Sequence, residues 1–129
     1  MFVIWNLQKR YHIQINPKIK VGYGFYIGHG VGVIINYNAI IGNNVNVSQF
    51  TTIGIKDGKC ATIGDNVYIG PSVCIVGGVT IGNNSAIGAG AVVTKDVPEN
   101  VTFVGVPAKV LSFENPGKNV NRRWIHEEK

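Results

Sequence analysis

An aliphatic residue recurs every six positions along most of this chain. The series runs through Ile15, Val21 and Ile27, then Ile35, Ile41, Val47 and Ile53, then Ile63, Ile69, Ile75, Ile81, Ile87 and Val93. These thirteen units are interrupted twice, by two extra residues between Ile27 and Ile35 and by four between Ile53 and Ile63. Four places after every anchor but Ile53 stands a second apolar or small residue: Ile19, Phe25, Val31, Ala39, Val45, Thr51, Val67, Val73, Val79, Ser85, Ala91 and Val97. A helix would repeat its apolar face at three and four, so a period of six excludes one. Even offsets share one face of a strand. Gly often follows the anchor, and turn formers such as Asn43-Asn44, Asp65-Asn66 and Asn83-Asn84 come next. Those residues bend the backbone at low cost. Three bends close a coil of about eighteen residues, and stacked coils bury their anchors in one column. The expectation is an all-β chain, a parallel β-helix of just over four rungs.

Residues that break the repeat must leave the coil as loops, where sites collect on a rigid scaffold. The first interruption is expected at Val33-Ile34, just after His29, and the second over 55–62. Stacking of successive rungs suggests that both bulges flank one groove. His29 is the one histidine inside the repeat, between Gly28 and Gly30; His12 precedes the coils and His126 follows them. An imidazole titrates near neutral pH and suits removal of a proton from a hydroxyl.

Composition narrows the classes. Charged residues are only 15% of the 129, against 45% hydrophobic, the opposite of a disordered chain. No apolar run approaches the ~20 residues that span a bilayer, and the first ten residues are not ordered like a secretory leader. With two cysteines, Cys60 and Cys74, this points to a cytoplasmic protein with free thiols. The net charge of +5 comes from scattered lysines and a cluster at Lys118, Arg122 and Arg123. No recognition helix or aromatic RNA-binding pattern accompanies it, so no nucleic-acid partner is expected. The boundaries read as an extension over 1–12, the β-helix over 13–109, and a capping segment with a basic tail over 110–129. The apolar run Val110-Leu111-Ser112-Phe113 is the candidate cap for the open end of the column.

The segment Ile27-Gly28-His29-Gly30-Val31-Gly32-Val33-Ile34-Ile35, with Ile41-Gly42-Asn43-Asn44-Val45 and 47–54, resembles the catalytic half of serine acetyltransferases. It is still more similar to the capsule and exopolysaccharide O-acetyltransferases allied with them. Residues 87–98 and Gly105-Val106-Pro107-Ala108-Lys109 resemble the last coil of hexapeptide-repeat acetyltransferases generally. The resemblance implies a left-handed helix, acetyl-CoA as donor, no metal, and a homotrimer with active sites at subunit interfaces. It makes His29 the general base. It implies acceptor contacts at Asn36, Gln49 and Cys60, and cofactor contacts at Gly54, Pro71, Ala89, Thr94, Lys95 and Lys109. Small residues there admit the pantetheine arm, and the two lysines suit phosphate.

Departures from the serine enzymes shift the expected acceptor. Their Asp before the catalytic His is here Gly28, an Asp at the start of the repeat is Gln14, and a second active-site His is Cys60. The expected acceptor is therefore a sugar hydroxyl of a surface polysaccharide or its precursor. Serine O-acetylation and an inactive β-helix scaffold are the alternatives. A zinc anhydrase of this fold needs three histidines around the metal, and only one histidine lies within the coils.

Overall fold

A computed structural model describes Arg10, residues 12–113 and Val120. The extension at 1–9 and the basic cluster of the tail lie outside the described residues. Each of the thirteen anchors occupies its own short strand, and the strands stack on three faces. Face A carries β1 (Gln14–Ile15), β4 (Ile34–Ile35), β7 (Thr52–Gly54), β10 (Cys74–Val76) and β13 (Val92–Val93). Face B carries β2 (Lys20–Val21), β5 (Ile40–Ile41), β8 (Thr62–Ile63) and β11 (Thr80–Ile81). Face C carries β3 (Tyr26–Ile27), β6 (Asn46–Val47), β9 (Tyr68–Ile69), β12 (Ala86–Ile87), β14 (Thr102–Gly105) and β15 (Ala108–Ser112). The chain visits A, B and C in turn, and neighbours on a face pair in parallel except for antiparallel β14 and β15. The result is the expected β-helix.

Anchors pair with anchors. Ile35 lies opposite Ile53, Ile41 opposite Ile63 and Val47 opposite Ile69. From Ile35 onward every anchor is at most 3% exposed, whereas Val21 in the end rung is 43% exposed. Thr51 and Ser85 enter the column as polar members of the inner row, both fully buried. Their hydroxyls donate to the carbonyls of Gly70 at 3.2 Å and Gly82 at 2.7 Å, which removes the desolvation cost of an unpaired group.

The corner between faces B and C shows why Asn or Asp follows the glycine of the hexad. Asp65 Oδ1 accepts from the Asn43 amide at 2.7 Å, and Asn83 Oδ1 accepts from the Asp65 amide at 2.7 Å. Each carboxamide or carboxylate thus ties one rung to the next. The following residues Asn44, Asn66 and Asn84 hold φ of 54°, 56° and 57°, a left-handed conformation that Asn tolerates. Gly82 is required for closeness instead: a Cβ there would sit 2.5 Å from the Glu99 amide nitrogen.

Two details depart from the hexad reading. The fifth turn is two residues short, because Val97 bridges the anchor Ile81 itself rather than filling the inner row. Pro98 follows and has no N–H for the ladder, so this strand is reduced to a bridge. At the end of the coil, β15 folds back along β14 and runs through the boundary expected at 109/110. Leu111 is 69% and Phe113 78% exposed, so most of the apolar run expected to cap the column faces outward. Edge pairing by β15 covers β14, while Val97, Val101 and Phe103 close the described core.

Candidate functional site

The first interruption carries the candidate base. Gly28 N donates to Val47 O as Ser48 N donates to Ile69 O, and Phe50 N donates to Val31 O as Ser72 N donates to Gln49 O. Gly28 therefore matches Ser48, Val31 matches Gln49, and His29-Gly30 is the unmatched pair. This corrects the placement at Val33-Ile34: Val33 is fully buried in the column and Ile34 pairs with Gln14 and Thr52. For the same reason Val31 faces outward, 44% exposed, instead of filling the inner row. The bulge is closed by a tight turn in which Val31 N donates to His29 O at 2.9 Å across Gly30.

His29 is exposed at the corner between faces C and A, above a cavity of about 420 Å³. Tyr26, Asn46, Ser48, Gln49, Tyr68 and Pro71 are among its lining residues. Among the described residues the lining contains no Asp, Glu, Lys or Arg. No hydrogen bond to the imidazole is made among the described residues.

The second interruption is a two-residue hairpin. Lys56 and Lys59 exchange backbone hydrogen bonds at 2.9 and 3.0 Å around Asp57 and Gly58, whose φ values are 52° and 73°. Positive φ at both positions is the geometry an Asp-Gly pair favours. The hairpin lies at the corner between faces A and B, and with Thr94, Lys95, Asp96 and Gly77-Gly78 it borders a groove of about 650 Å³. Three lysines here face two aspartates, and the Asp96 carboxylate already accepts from Thr80 N at 2.8 Å. The two interruptions thus occupy different corners. The expectation that they flank one groove fails within a protomer, because the hairpin leaves the coil one face later than His29.

The expected site residues divide accordingly. Gln49 and Pro71 join His29 in its cavity, and Ala89 lies at the same corner two rungs beyond Gln49. Thr94 and Lys95 line the lysine groove. Asn36, Gly54 and Cys60 follow face A toward that other corner, apart from His29. The Asn36 Oδ1 accepts from Asn38 N at 3.0 Å in a local turn. The Cys60 Sγ donates to Gly54 O at 3.6 Å, and burial pushes its thiol up against a smaller opposing effect of the Ala61 backbone hydrogen bond. Such a thiol keeps its proton at neutral pH and is a poor nucleophile. Lys109, in β15 opposite Val104, lines neither cavity. Gly54 has neither a positive φ nor any atom within 4 Å of a Cβ built on it, so its own protomer does not require a glycine there.

Sequence reasoning missed Tyr26, Asn46 and Tyr68, each the residue just before an anchor on face C. Strand alternation puts that position outward, so the signal was the periodicity applied to the non-anchor residues beside His29.

A solenoid of three-faced coils with a six-residue period is a hexapeptide-repeat β-helix. Residues 60–95 match the family model "Bacterial transferase hexapeptide (six repeats)", and the chain matches the hexapeptide-repeat acetyltransferases of the serine acetyltransferase-like branch. It is 41% identical over 120 residues to the serine acetyltransferase of Bacillus licheniformis, covering 90% of this chain and 55% of that one. It is 40% identical over 114 residues to the galactoside O-acetyltransferase of Escherichia coli, covering 78% of this chain and 56% of that one. The crystal structure of the Brucella abortus serine acetyltransferase superimposes with a TM-score of 0.80 at 30% identity, over 84% of this chain and 46% of the other. The Neisseria gonorrhoeae serine acetyltransferase in complex with serine gives 0.77 at 36% identity, over 81% and 44%. The chain spans about half the length of the relatives it matches.

Proposed function

We propose that this protein transfers an acetyl group from acetyl-CoA to an acceptor hydroxyl, with His29 as general base. The observation that carries the reading is the position of His29, on the two-residue bulge that leaves the coil at its corner and exposed over the cavity holding Gln49. The imidazole takes the hydroxyl proton as the oxygen bonds to the thioester carbonyl carbon. The C–S bond then breaks, and the proton passes from His29 to the departing thiolate. A backbone or polar donor holds the transient oxyanion.

Acetyl-CoA fits the chemistry of both corners. Lys95 with Thr94, beside Lys56 and Lys59, suits the phosphates of the nucleotide end. Pro71 and Ala89 lie at the corner of His29, where the acetyl end is needed. A cofactor shared by neighbouring protomers of a trimer reconciles the two clusters, one corner coming from each subunit. On this reading Gly54 is small for the sake of the cofactor or the neighbour, Lys109 is a further phosphate contact, and the partner supplies what orients His29. Lys95→Ala is expected to raise the KM for acetyl-CoA about tenfold, the ~1.4 kcal/mol of one charge-assisted hydrogen bond, with the acceptor KM unchanged.

For the acceptor, the names of the relatives favour L-serine over the polysaccharide sugar expected from sequence, since serine acetyltransferases predominate among them. A sugar is the second reading because a galactoside O-acetyltransferase is among the relatives as well. Release of free thiol from acetyl-CoA is the test, with L-serine and a panel of methyl glycosides and nucleotide sugars offered in turn. Acceptor-dependent release is the expected result; release with none of them would overturn acetyl transfer.

A further inference from the structure

We propose that Phe50 is a positioning residue, buttressing the glycine-rich bulge so that His29 is held where a base is needed. The proposal rests on the acetyl-transfer reading with His29 as base. The segment Gly28-His29-Gly30-Val31-Gly32 alternates glycine with a side chain, a permissive backbone on which to carry a base. Its leading end is held by the bond from Gly28 N to Val47 O, and a Cβ built on Gly30 would lie 3.4 Å from Ile13 Cδ1. Phe50 meets the trailing end twice. Its amide donates to Val31 O at 3.0 Å. Its ring lies over Gly32, where an added Cβ would come 2.5 Å from Cδ1 and 2.9 Å from Cε1. The ring thus fills the space that glycine leaves at position 32.

The corner itself gives no reason for a phenylalanine. Gly32, Phe50, Ser72 and Gly90 hold one position in successive rungs, with φ of 65°, 58°, 57° and 71°. At the corner between faces B and C the same conformation falls to Gly24, Asn44, Asn66, Asn84 and Asn100. A bulky side chain at positive φ is an outlier, and such strain persists where the surroundings impose it, often beside functional groups. Nor does the ring join this chain's buried column, since Phe50 is 56% exposed. Its neighbour Gln49 lines the cavity of His29, whereas Phe50 turns to Gly32. The ring therefore meets the backbone that carries the base. A displacement of about 1 Å can slow a reaction roughly 100-fold, so a base among so many glycines needs such a support. A neighbouring subunit can orient the imidazole only once the backbone beneath it is fixed.

Phe50→Asn removes the ring and supplies a residue that accepts the left-handed corner, so the fold should be kept. The expected result is a fall in kcat of about tenfold to a hundredfold, with both KM values within about twofold of wild type. Phe50→Tyr keeps the ring and should retain most of kcat; an equal loss there would overturn the ring's role. A second readout needs no turnover. Nitrogen relaxation of histidine-labelled protein should give a lower order parameter for the His29 amide in Phe50→Asn than in wild type. Phe50→Ser gives both readouts should Phe50→Asn not fold. Either an unchanged order parameter or an unchanged kcat would overturn the proposal. A loss confined to KM would also overturn it by making Phe50 a ligand contact. A loss that accompanies a change in sedimentation mass would do so by making it a subunit contact. Wild-type protein that releases no thiol with any acceptor would remove the parent reading instead, and the His29 order parameter would then decide alone whether Phe50 steadies the bulge.

Discussion

His29→Ala is expected to lower kcat/KM for acetyl transfer about 10²–10⁴-fold, the range that a positioned general base contributes. That loss corresponds to about 3–5 kcal/mol of transition-state stabilisation. Its specificity follows from where the residue sits. His29 is exposed, belongs to a two-residue bulge outside the stacked ladder, and makes no hydrogen bond among the described residues. Truncation therefore creates no cavity and strands no buried group, and the unfolding free energy should change by no more than an exposed substitution allows, about 0.5 kcal/mol. Activity lost with the fold kept is what separates a base from a structural histidine. Activity within twofold of wild type would remove His29 from the mechanism. A wild-type protein inert toward every acceptor, while binding acetyl-CoA, would instead favour the scaffold alternative.

The thirteen anchors were legible because each is the inward residue of a strand held to the same face by period-two alternation and returned there by a corner every sixth residue. Burial of Ile35 through Val93 follows directly. The breaks in period were legible in number but not in place. Counting between Ile27 and Ile35 leaves the two extra residues free to fall anywhere in the corner, and only the backbone hydrogen bonds of Gly28 and Phe50 show that they are His29-Gly30. The shared groove failed for a related reason. A solenoid's corner is set by the face just left, so His29, after β3, and the hairpin, after β7, diverge by one corner however close they lie along the axis. The row Tyr26-Asn46-Tyr68 depends on registers of twenty and then twenty-two residues, a pairing that no single repeat displays. Lys95 and Thr94 were found through resemblance to the final coil, whereas Lys56 and Lys59 enter the same groove only because the inserted hairpin stacks beside Gly77-Gly78.

Ile69→Ala is expected to destabilise the protein by about 2–5 kcal/mol, the cost of emptying a fully packed aliphatic site. Ile69 is completely buried and lies in register with Val47 on one side and Ile87 on the other. Both rungs are themselves tied to its own by the ladders through Gly70 N and Ser48 N, at 2.9 and 3.0 Å, so neighbouring side chains have little freedom to close the gap. In a solenoid each rung is stabilised by its two neighbours, and a defect in a middle rung weakens both interfaces together. The same chemistry at the end of the column should cost far less: among the described residues Val21 faces one rung and is 43% exposed, so Val21→Ala is expected to cost below about 1 kcal/mol. Thermal or urea unfolding of the two variants checks the gradient, with Ile69→Ala lowering Tm by roughly 10 °C or more. Equal losses at the two positions would mean that the end rung is covered as completely as the middle, and that the column does not end where the described coils place it.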